Sequence, residues 1–252
     1  MNKTIFITGA SSGIGHSLSL KFSTEGWNVV AAARRINLLR ALSKSGKKDL
    51  IKPIKIDIIN KKSVASGIFS TIKKYGIPDI IFLNAGTNNP NSNHIISLKE
   101  VREIFEINFF GTLNCISEFL PYLKKKNKNV QIIIMSSVAG YRGLPYASAY
   151  CSSKSAMTTF AEAIYAQCKQ LGVHIRVVNP GFIKTPLTDK NDFPMPMIIS
   201  SEKAANILYK KFISSRSFEI SLPWIFCSIM KLLKILPYSI YLRITNLMIK
   251  KL

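Results

Sequence analysis

Residues 3–26, KTIFITGASSGIGHSLSLKFSTEG, decide the fold of this chain. They open with a short run of mostly β-branched residues, pass through three closely spaced glycines and end in a helical pattern of apolar residues. Glycine allows positive φ and a close approach of the backbone, and the first turn of the following helix presents free N–H groups and a positive dipole end. The stretch therefore predicts a strand, a glycine turn and a helix that can bind a pyrophosphate.

The glycine spacing leaves one alternative open. Gly9, Gly13 and Gly15 are spaced G-x-x-x-G-x-G, whereas the usual dinucleotide-binding fingerprint is G-x-G-x-x-G. Taken alone, the same residues also fit a tight turn that binds nothing. The arrangement of the remaining chain has to decide between these two interpretations.

Apolar runs typical of strands alternate with helical patterns along most of the chain. Beyond the opening strand, strands are predicted at 28–33, 51–56, 79–83, 130–135 and 173–178. Helices are predicted at 37–45, 61–75, 97–107, 109–126 and from a Ser148 cap to about 172, with a polar loop at 87–94. This alternation is typical of an α/β fold with a doubly wound parallel sheet of the Rossmann type, whose ligands bind at the carboxyl ends of the strands.

Length and composition set the domain organisation. The 252 residues, 47% of them hydrophobic, are enough for one sizeable core. We predict a single Rossmann-type domain over residues 1–221, followed by a basic amphipathic helical extension over 222–252.

The second predicted strand ends in Ala33-Arg34-Arg35, with no acidic residue nearby. An acidic residue at this place binds the ribose 2′-hydroxyl of NAD, whereas a guanidinium fork suits a 2′-phosphate in charge and geometry. We therefore predict that Arg34 binds this phosphate and that NADP(H) is preferred over NAD(H). The alternative is that both arginines are merely solvated at a strand end.

Tyr150 and Lys154 are four residues apart at the start of a predicted helix, so they lie on one face of it. A free tyrosine keeps its proton until about pH 10, and a nearby ammonium lowers the pKa of the phenol toward working pH. Ser137 follows the preceding strand and can bring a hydroxyl to the same point. Alone, a Y-x-x-x-K pair is a weak signal that also fits an ordinary surface helix.

In combination and in this order, the motifs resemble the short-chain dehydrogenase/reductase family. The matching motifs are TGASSGIG at 8–15, Asp57, NAG at 84–86, Asn108, Ser137, YCSSK at 150–154 and PG at 180–181. The resemblance covers roughly residues 3–221 and implies an NAD(P)-dependent oxidoreductase that acts on a carbonyl or the matching alcohol. It also implies a homo-oligomer, since members of the family are commonly dimers or tetramers.

The resemblance implies four catalytic residues. Tyr150 would donate the proton in reduction and accept it in oxidation, and Lys154 would hold the nicotinamide ribose and lower the pKa of Tyr150. Ser137 would polarise the carbonyl, and Asn108 would position a water that links Lys154 to solvent. The implied cofactor-binding residues are Gly9, Ser11, Ser12, Gly13, Ile14, Gly15, Arg34, Asp57, Asn84, Ala85, Gly86, Tyr150, Lys154, Pro180, Gly181 and Thr185. Of these, Asp57 would contact the adenine and Thr185 the nicotinamide carboxamide region.

The net charge of +22 is unusual, and much of it lies in short lysine clusters near predicted helix ends. Lysine at a helix end complements the dipole and stays solvated. No run interleaves basic residues with stacking aromatics, so we expect no nucleic-acid partner. The clusters are Lys47-Lys48, Lys73-Lys74, Lys124 to Lys126 and Lys210-Lys211.

The cysteines and the first residues bear on the compartment. Cys115, Cys151, Cys168 and Cys227 show neither C-x-x-C pairing nor metal-ligand spacing, which favours reduced thiols in the cytoplasm and no metal site. The apolar start at 4–8 runs directly into the glycine turn instead of a cleavage site, so we expect no signal peptide.

Two apolar regions lie outside the family motifs. Residues 182–200 combine large apolar side chains, methionines and three prolines, which predicts a mobile lid and an apolar carbonyl or alcohol substrate. Residues 224–236 are apolar apart from a stripe formed by Ser228, Lys231 and Lys234. After Pro237, a second segment sets Ser239, Arg243, Asn246 and Lys250 opposite Ile240, Ile244, Leu247 and Met248.

Each of the two C-terminal segments is too short to span a bilayer, which takes about 20 apolar residues. Because the basic stripe has no evident partner in the sequence, we predict an interfacial anchor that holds a cytoplasmic protein at an anionic membrane. The alternative is that both segments pack on the substrate cleft of the protein or on a second subunit.

Two functions remain to be compared. The first is an NADPH-dependent carbonyl reductase of the short-chain type that acts on an apolar substrate. The second is a nucleotide-binding scaffold or sensor without significant turnover. The complete set of Asn108, Ser137, Tyr150 and Lys154 favours the enzyme, because a scaffold has no need of all four.

Overall fold

The computed structural model of the protein describes residues 3–47, 49–89, 96–124 and 129–249. Several predicted features lie outside these ranges: Lys48, Lys125 and Lys126 of the lysine clusters, residues 90–94 of the predicted loop, and Lys250 of the tail.

The first half of the chain alternates strands and helices as predicted. Strand β1 (Thr4–Thr8) leads through the glycine turn into helix α1 (Gly13–Thr24). The elements that follow are β2 (Asn28–Ala33), α2 (Ile36–Ser45), β3 (Ile51–Lys55), α3 (Lys61–Tyr75) and β4 (Ile80–Leu83).

The second half continues this alternation up to the sixth strand. Its elements are α4 (Leu98–Phe105), a π-helical turn (Glu106–Phe110), α5 (Gly111–Leu123), β5 (Val130–Met135), a 3₁₀ turn (Val138–Gly140), α6 (Ser148–Gln170) and β6 (Val173–Pro180). The chain then forms β7 (Ile183–Lys184), a second 3₁₀ turn (Thr188–Lys190), β8 (Ile199–Ser200), α7 (Ser201–Ser214), β9 (Glu219–Leu222), α8 (Trp224–Ile235) and α9 (Tyr238–Leu247).

Seven parallel strands form the central sheet in the order β3-β2-β1-β4-β5-β6-β9. The chain builds outward from β1 to β3 and then crosses to β4 on the other side of β1, so the strand order reverses between β1 and β4. Such a reversal places a crevice at the carboxyl ends of these two strands. The predicted doubly wound α/β fold is confirmed.

The core lies on both faces of this sheet because alternate residues of each strand point in opposite directions. In β1, Ile5 and Ile7 join a cluster with Phe22 of α1 and Phe212 of α7. Phe6, between them, joins the opposite cluster. The two helical layers thereby hold the carboxyl ends of the strands in fixed positions.

Several local predictions differ from the structure. Ser148 is the first residue of α6 and does not cap it; the N-cap is Ala147, which has no side chain able to do so. The two helices predicted at 97–107 and 109–126 form one continuous path through the π-helical turn that contains Asn108. Helix α7 and strand β9 were not predicted.

The C-terminal segments form α8 and α9, and α8 packs on the body of the protein. Cys227 and Met230 are buried together with Val138, in a cluster flanked by Phe226 and Leu233. Arg142 donates to the main-chain oxygens at the end of α8 and lies 4.1 Å from the centroid of the Tyr241 ring in α9. The boundary predicted between residues 221 and 222 falls inside β9, the strand that precedes these two helices.

The expectation that the basic stripe lacks a partner was wrong. The Lys231 ammonium bonds the carboxylate of Glu219, and both Lys231 and Lys234 lie 5.9 Å from the centroid of the Tyr141 ring. The exposed side of α8 also carries apolar residues, since Trp224, Leu232 and Ile235 are 61% to 75% exposed beside Ser228, Lys231 and Lys234. Among the helices of the described ranges, none is long and apolar enough to cross a membrane.

Candidate active site

Most of the residues marked by the sequence surround one cleft of about 290 Å³ at the carboxyl ends of the strands. The predicted residues that line it are Gly9, Ser11, Ser12, Gly13, Ile14, Arg34, Asp57, Asn84, Ala85, Gly86, Ser137, Tyr150, Lys154, Pro180, Gly181 and Thr185. Gly15 and Asn108 are the two that do not line it. Their contacts place them directly behind the lining residues.

The glycine turn needs its glycines for contacts within the protein. Gly9 has φ +66°, and a Cβ added there would lie 2.9 Å from the Cα of Ala85. A Cβ on Gly15 would lie 2.6 Å from the main-chain oxygen of Gly9. Side chains at either position would separate the turn after β1 from the turn after β4.

The amino-terminal end of α1 also depends on a glycine. Gly13 has φ +56°, and a Cβ added there would lie 3.1 Å from the Cγ2 of Thr185. Because Gly13 has no side chain, the space between the start of α1 and Thr185 stays open. The free N–H groups of α1 begin at this space. An elongated ligand with a pyrophosphate fits this arrangement, because a helix N-terminus favours anions and glycine lets them approach the backbone.

At one end of the cleft, Arg35 lies on the glycine turn. Its Nη2 donates to the Oγ atoms of Ser11 at 2.9 Å and Ser12 at 2.8 Å, and its Nε donates to Ser11 at 3.2 Å. Arg34 lines the cleft beside it. The sequence predicts a phosphate contact for Arg34, which stays a prediction. The Arg-Arg pair alone does not indicate that Arg35 is the arginine that bonds the two serines.

At the other end of the cleft, Tyr150 and Ser137 line the wall together. Burial raises the pKa of Tyr150 to about 12, and the neighbouring Ser137 hydroxyl, which favours the phenolate, opposes this rise. Tyr150 is partly exposed to the cleft, so water that enters there moderates the shift. At neutral pH the phenol is protonated.

Lys154 is buried on the same face of α6 as Tyr150. Its Nζ lies 5.6 Å from the centroid of the Tyr150 ring and donates to the main-chain oxygen of Met135 at 2.9 Å. Burial lowers the pKa of this ammonium to about 8. Desolvation of the phenol dominates the pKa of Tyr150 in this structure. The lowering of that pKa by Lys154 stays a prediction.

Asn108 is buried in the π-helical turn and joins two parts of the site. Its Oδ1 accepts from the backbone N–H of Thr87 at 2.7 Å, and its Nδ2 donates to the main-chain oxygen of Thr87 and to the Oγ of Ser153. The turn after β4 is thereby fixed to α6, three residues after Tyr150. A Cβ added to Gly86 would lie 3.2 Å from this Oδ1, so a side chain at position 86 would crowd the Asn108 amide.

Neighbouring hydroxyls and amides hold the strand ends together. Asn84 Nδ2 donates to the main-chain oxygen of Thr8 at 3.0 Å, which joins the ends of β4 and β1. Ser136 Oγ donates to the main-chain oxygen of Lys154 at 3.0 Å, which joins β5 to α6. These bonds join four elements, β1, β4, β5 and α6, around the cleft.

The comparison with known proteins agrees with this geometry. A family model described as short chain dehydrogenase matches residues 3–194. An uncharacterized oxidoreductase of Myxococcus xanthus is 30% identical over 241 residues, which cover 95% of this chain and 94% of that protein.

Two further relatives have named activities. The NADPH-dependent pterin aldehyde reductase of Arabidopsis thaliana is 31% identical over 73% of this chain and 76% of its own length. The 3-ketodihydrosphingosine reductase of Bacteroides thetaiotaomicron is 30% identical over 75% of this chain and 66% of its own length.

Among solved structures, a short chain dehydrogenase/reductase from Burkholderia phymatum in complex with NAD superimposes with a TM-score of 0.81 at 20% identity, over 92% of each chain. That likeness shows the fold alone. The family model and the Myxococcus xanthus relative match the sequence itself over most of the chain. This chain belongs to the short-chain dehydrogenase family and is an NAD(P)-dependent oxidoreductase.

Proposed function

We propose that the protein is an NADP(H)-dependent carbonyl reductase that acts on an apolar substrate. The observation that carries the proposal is the layout of the cleft, with the arginine pair and two serines at one end and Tyr150 with Ser137 at the other. A dinucleotide lying between them, its pyrophosphate against the start of α1, brings its nicotinamide to Tyr150.

The cofactor preference is argued from charge. Arg34 and Arg35 line the adenosine end of the cleft, and Arg35 is already oriented by Ser11 and Ser12. A guanidinium so oriented suits a phosphate, since less side-chain freedom is lost when the bonds form. The relative that is NADPH-dependent agrees with this preference.

The proton chemistry is argued from Tyr150. A bound nicotinamide supplies or accepts the hydride. Tyr150 carries its proton at neutral pH, because burial raises its pKa to about 12, and so acts as the acid that reduction of a carbonyl requires. Ser137, which lines the cleft with Tyr150, donates to the same carbonyl oxygen, and Lys154 holds the ribose hydroxyls. Asn108 keeps the turn after β4 and helix α6 in register.

The substrate class is argued from the rings at the substrate end. Phe182 lies 6.0 Å from Phe193 and 5.4 Å from Phe226 between ring centroids. Phe182 follows Gly181, a lining residue of the cleft, and the three rings themselves lie outside that lining. We propose that this aromatic cluster meets the part of the substrate that extends beyond the cofactor cleft. An apolar ketone or aldehyde suits such a wall better than a free sugar or small acid.

We also propose that the protein works at the cytoplasmic surface of an anionic membrane. Trp224, Leu232, Ile235 and Tyr238 form an outer face on α8 and α9 and are each more than 60% exposed. A net charge of +22 complements anionic lipid. In this proposal the exposed apolar side chains contact the membrane, and the positive charge of the whole chain attracts the protein to anionic lipid. Homo-oligomer formation remains a prediction of the family resemblance, to be tested by solution mass.

The test is a substrate panel followed at the NADPH absorbance band, with long-chain 3-oxoacyl thioesters, sphingoid ketones, steroids and small ketones. We expect turnover of an apolar ketone, with NADPH strongly preferred over NADH. NADPH binding without turnover of any carbonyl would favour the scaffold. The absence of NADPH binding would remove the proposal altogether.

A further inference from the structure

The carboxylate of Glu219, at the start of β9, connects three separate elements. Its Oε1 accepts from the hydroxyl of Tyr141, which follows the 3₁₀ turn after Ser137, and from Asn179 Nδ2 at 2.8 Å. Its Oε2 accepts from the ammonium of Lys231 on α8. One side chain thereby links both sides of the substrate end of the cleft to the C-terminal helix.

This carboxylate is charged. Burial by itself raises the pKa of Glu219, but the hydrogen bonds from Lys231, Tyr141 and Asn179 outweigh it and hold the pKa below its ordinary value. The Tyr141 hydroxyl correspondingly stays protonated, since burial and the bond to Glu219 raise its pKa. The cluster is a charge-assisted network with no proton to lose near neutral pH.

Glu219 fixes the orientation of Asn179, the residue before Pro180 and Gly181. Asn179 is 1% exposed, and its Oδ1 has no hydrogen-bond partner among the described residues. Reversing the amide would turn Oδ1 toward the carboxylate, where two acceptors would face each other. The carboxylate of Glu219 therefore fixes the orientation of the Asn179 amide. Nδ2 is bonded, and Oδ1 is left without a hydrogen-bond partner among the described residues.

Helix α8 bears on the same turn. The ring of Phe226 would lie 2.5 Å from a Cβ on Gly181, and the thiol of Cys227 donates to the main-chain oxygen of Asn179 at 3.4 Å. Lys231 lies one helical turn beyond Cys227, so its bond to Glu219 closes the contact between α8 and residues 179–181.

We propose that Glu219, held by Lys231, is a positioning residue for the nicotinamide end of the cleft. It sets the geometry of the 179–181 turn on one side and of the segment from Ser137 to Tyr141 on the other. The inference rests on the proposed function, because it requires a dinucleotide in the cleft. The adenosine end is built by other residues, chiefly Asp57 and the arginine pair, and does not depend on this network.

The two lysines of α8 provide a matched comparison. Lys231 and Lys234 lie at the same distance, 5.9 Å, from the Tyr141 ring centroid, but the ion pair with Glu219 is made by Lys231. The variants are Lys231→Gln, Lys234→Gln and Glu219→Gln. Each is titrated with NADPH and with adenosine 2′,5′-bisphosphate, which lacks the nicotinamide half.

We expect Lys231→Gln and Glu219→Gln to weaken NADPH about tenfold, because a displaced 179–181 turn loses its contact with the nicotinamide half, while binding of the bisphosphate stays within about twofold. Lys234→Gln should change neither ligand. A merely structural role would lower the melting temperature and alter both ligands in parallel, or neither.

Equal NADPH affinity in Lys231→Gln and Lys234→Gln would overturn the inference. So would parallel weakening of both ligands by Lys231→Gln. Lys231 is half-exposed, so its variant keeps the test valid even where Glu219→Gln fails to fold. Failure of the wild type to bind NADPH is a separate result, because it refutes the proposed function before any variant is compared.

Discussion

The ammonium of Lys154 donates a 2.9 Å hydrogen bond to the main-chain oxygen of Met135, the last residue of β5. Lys154 is only 3% exposed, so its charge lies in the interior beside the ring of Tyr150. Because burial disfavours the charged form, the pKa of Lys154 falls to about 8. The charge that is to hold the ribose is therefore lost at a lower pH than for an ordinary lysine.

A pH profile tests this consequence. We expect kcat/KM for reduction, and NADPH affinity with it, to fall above an apparent pKa of about 8 as Lys154 loses its proton. Lys154→Met should have low activity, and its NADPH affinity should not fall above pH 8, because methionine has no proton to lose. A flat affinity up to pH 10 in the wild type would contradict the assignment.

The same shift has a consequence for stability. The native pKa of Lys154 lies below its unfolded value, so the unfolded state binds more protons between about pH 8 and 10.5. In that interval the contribution of Lys154 to the free energy of unfolding rises with pH. The measurement is the difference between wild type and Lys154→Met in thermal unfolding, since the general repulsion among lysines then cancels.

Tyr150→Phe keeps the ring and removes the proton that reduction requires. General acid catalysis contributes about 10²–10⁴-fold, so we expect kcat to fall by that factor while the NADPH dissociation constant changes little. Tyr165→Phe, on the same helix, is the matched control and should retain activity. Turnover by Tyr150→Phe within a few-fold of wild type would show that another group supplies the proton.

Gly9→Ala tests the close contact between the turns after β1 and β4. At φ +66°, alanine is strained by roughly 1–2 kcal/mol, and its Cβ would also lie 2.9 Å from the Cα of Ala85. Gly26→Ala shares the positive φ, +83°, but would meet nothing within 4 Å. We expect both to lower the melting temperature and only Gly9→Ala to abolish NADPH binding in titrations.

Arg35→Gln tests the cofactor preference. Losing a charge-assisted bond of about 1.5–3 kcal/mol should weaken NADPH roughly ten- to a hundredfold and leave NADH affinity unchanged. Arg34→Gln should act in the same direction, and Arg40→Gln, an exposed arginine on α2, should have no effect. Equal affinity of the wild type for NADH and NADPH would remove the argument for a 2′-phosphate site.

The strand ends and their motifs were predictable because each depends on local signals. Glycines mark the turn after β1, and the i, i+4 spacing brings Tyr150 and Lys154 to one face of α6. Helix α7 was also within reach, since Ser200 caps it and its buried residues recur at helical spacing. Strand β9, with four residues, is too short for such a pattern.

The electrostatics of the site were less predictable because they depend on burial. The sequence places an ammonium near Tyr150, but it does not reveal that both groups are desolvated or that this dominates the pKa of the phenol. Likewise, the chain has 13 acidic and 35 basic residues, and no local sequence pattern indicates which lysine pairs with Glu219. The pairing with Lys231 depends on how α8 packs against β9.

The outer face of α8 and α9 provides the last prediction. Replacing Trp224, Leu232 and Ile235 together by Ser removes apolar side chains that are 61% to 75% exposed, so the fold should tolerate the change. We expect binding to phosphatidylglycerol vesicles to be lost in a sedimentation assay, because insertion of apolar side chains drives interfacial attachment. Phe69→Ser, an exposed apolar residue on α3, is the control and should leave binding intact.

The charge contribution is tested separately with Lys234→Gln and Arg243→Gln, which leave the bond between Lys231 and Glu219 in place. Basic residues near an anionic surface contribute about 1 kcal/mol each and are screened over about 8 Å at physiological ionic strength. The double variant should therefore bind less tightly at low salt and resemble the wild type at high salt. If the wild type fails to bind anionic vesicles at low salt, the outer face is not a membrane surface. The alternative that its apolar residues pack on a second subunit then predicts a concentration-dependent mass in solution.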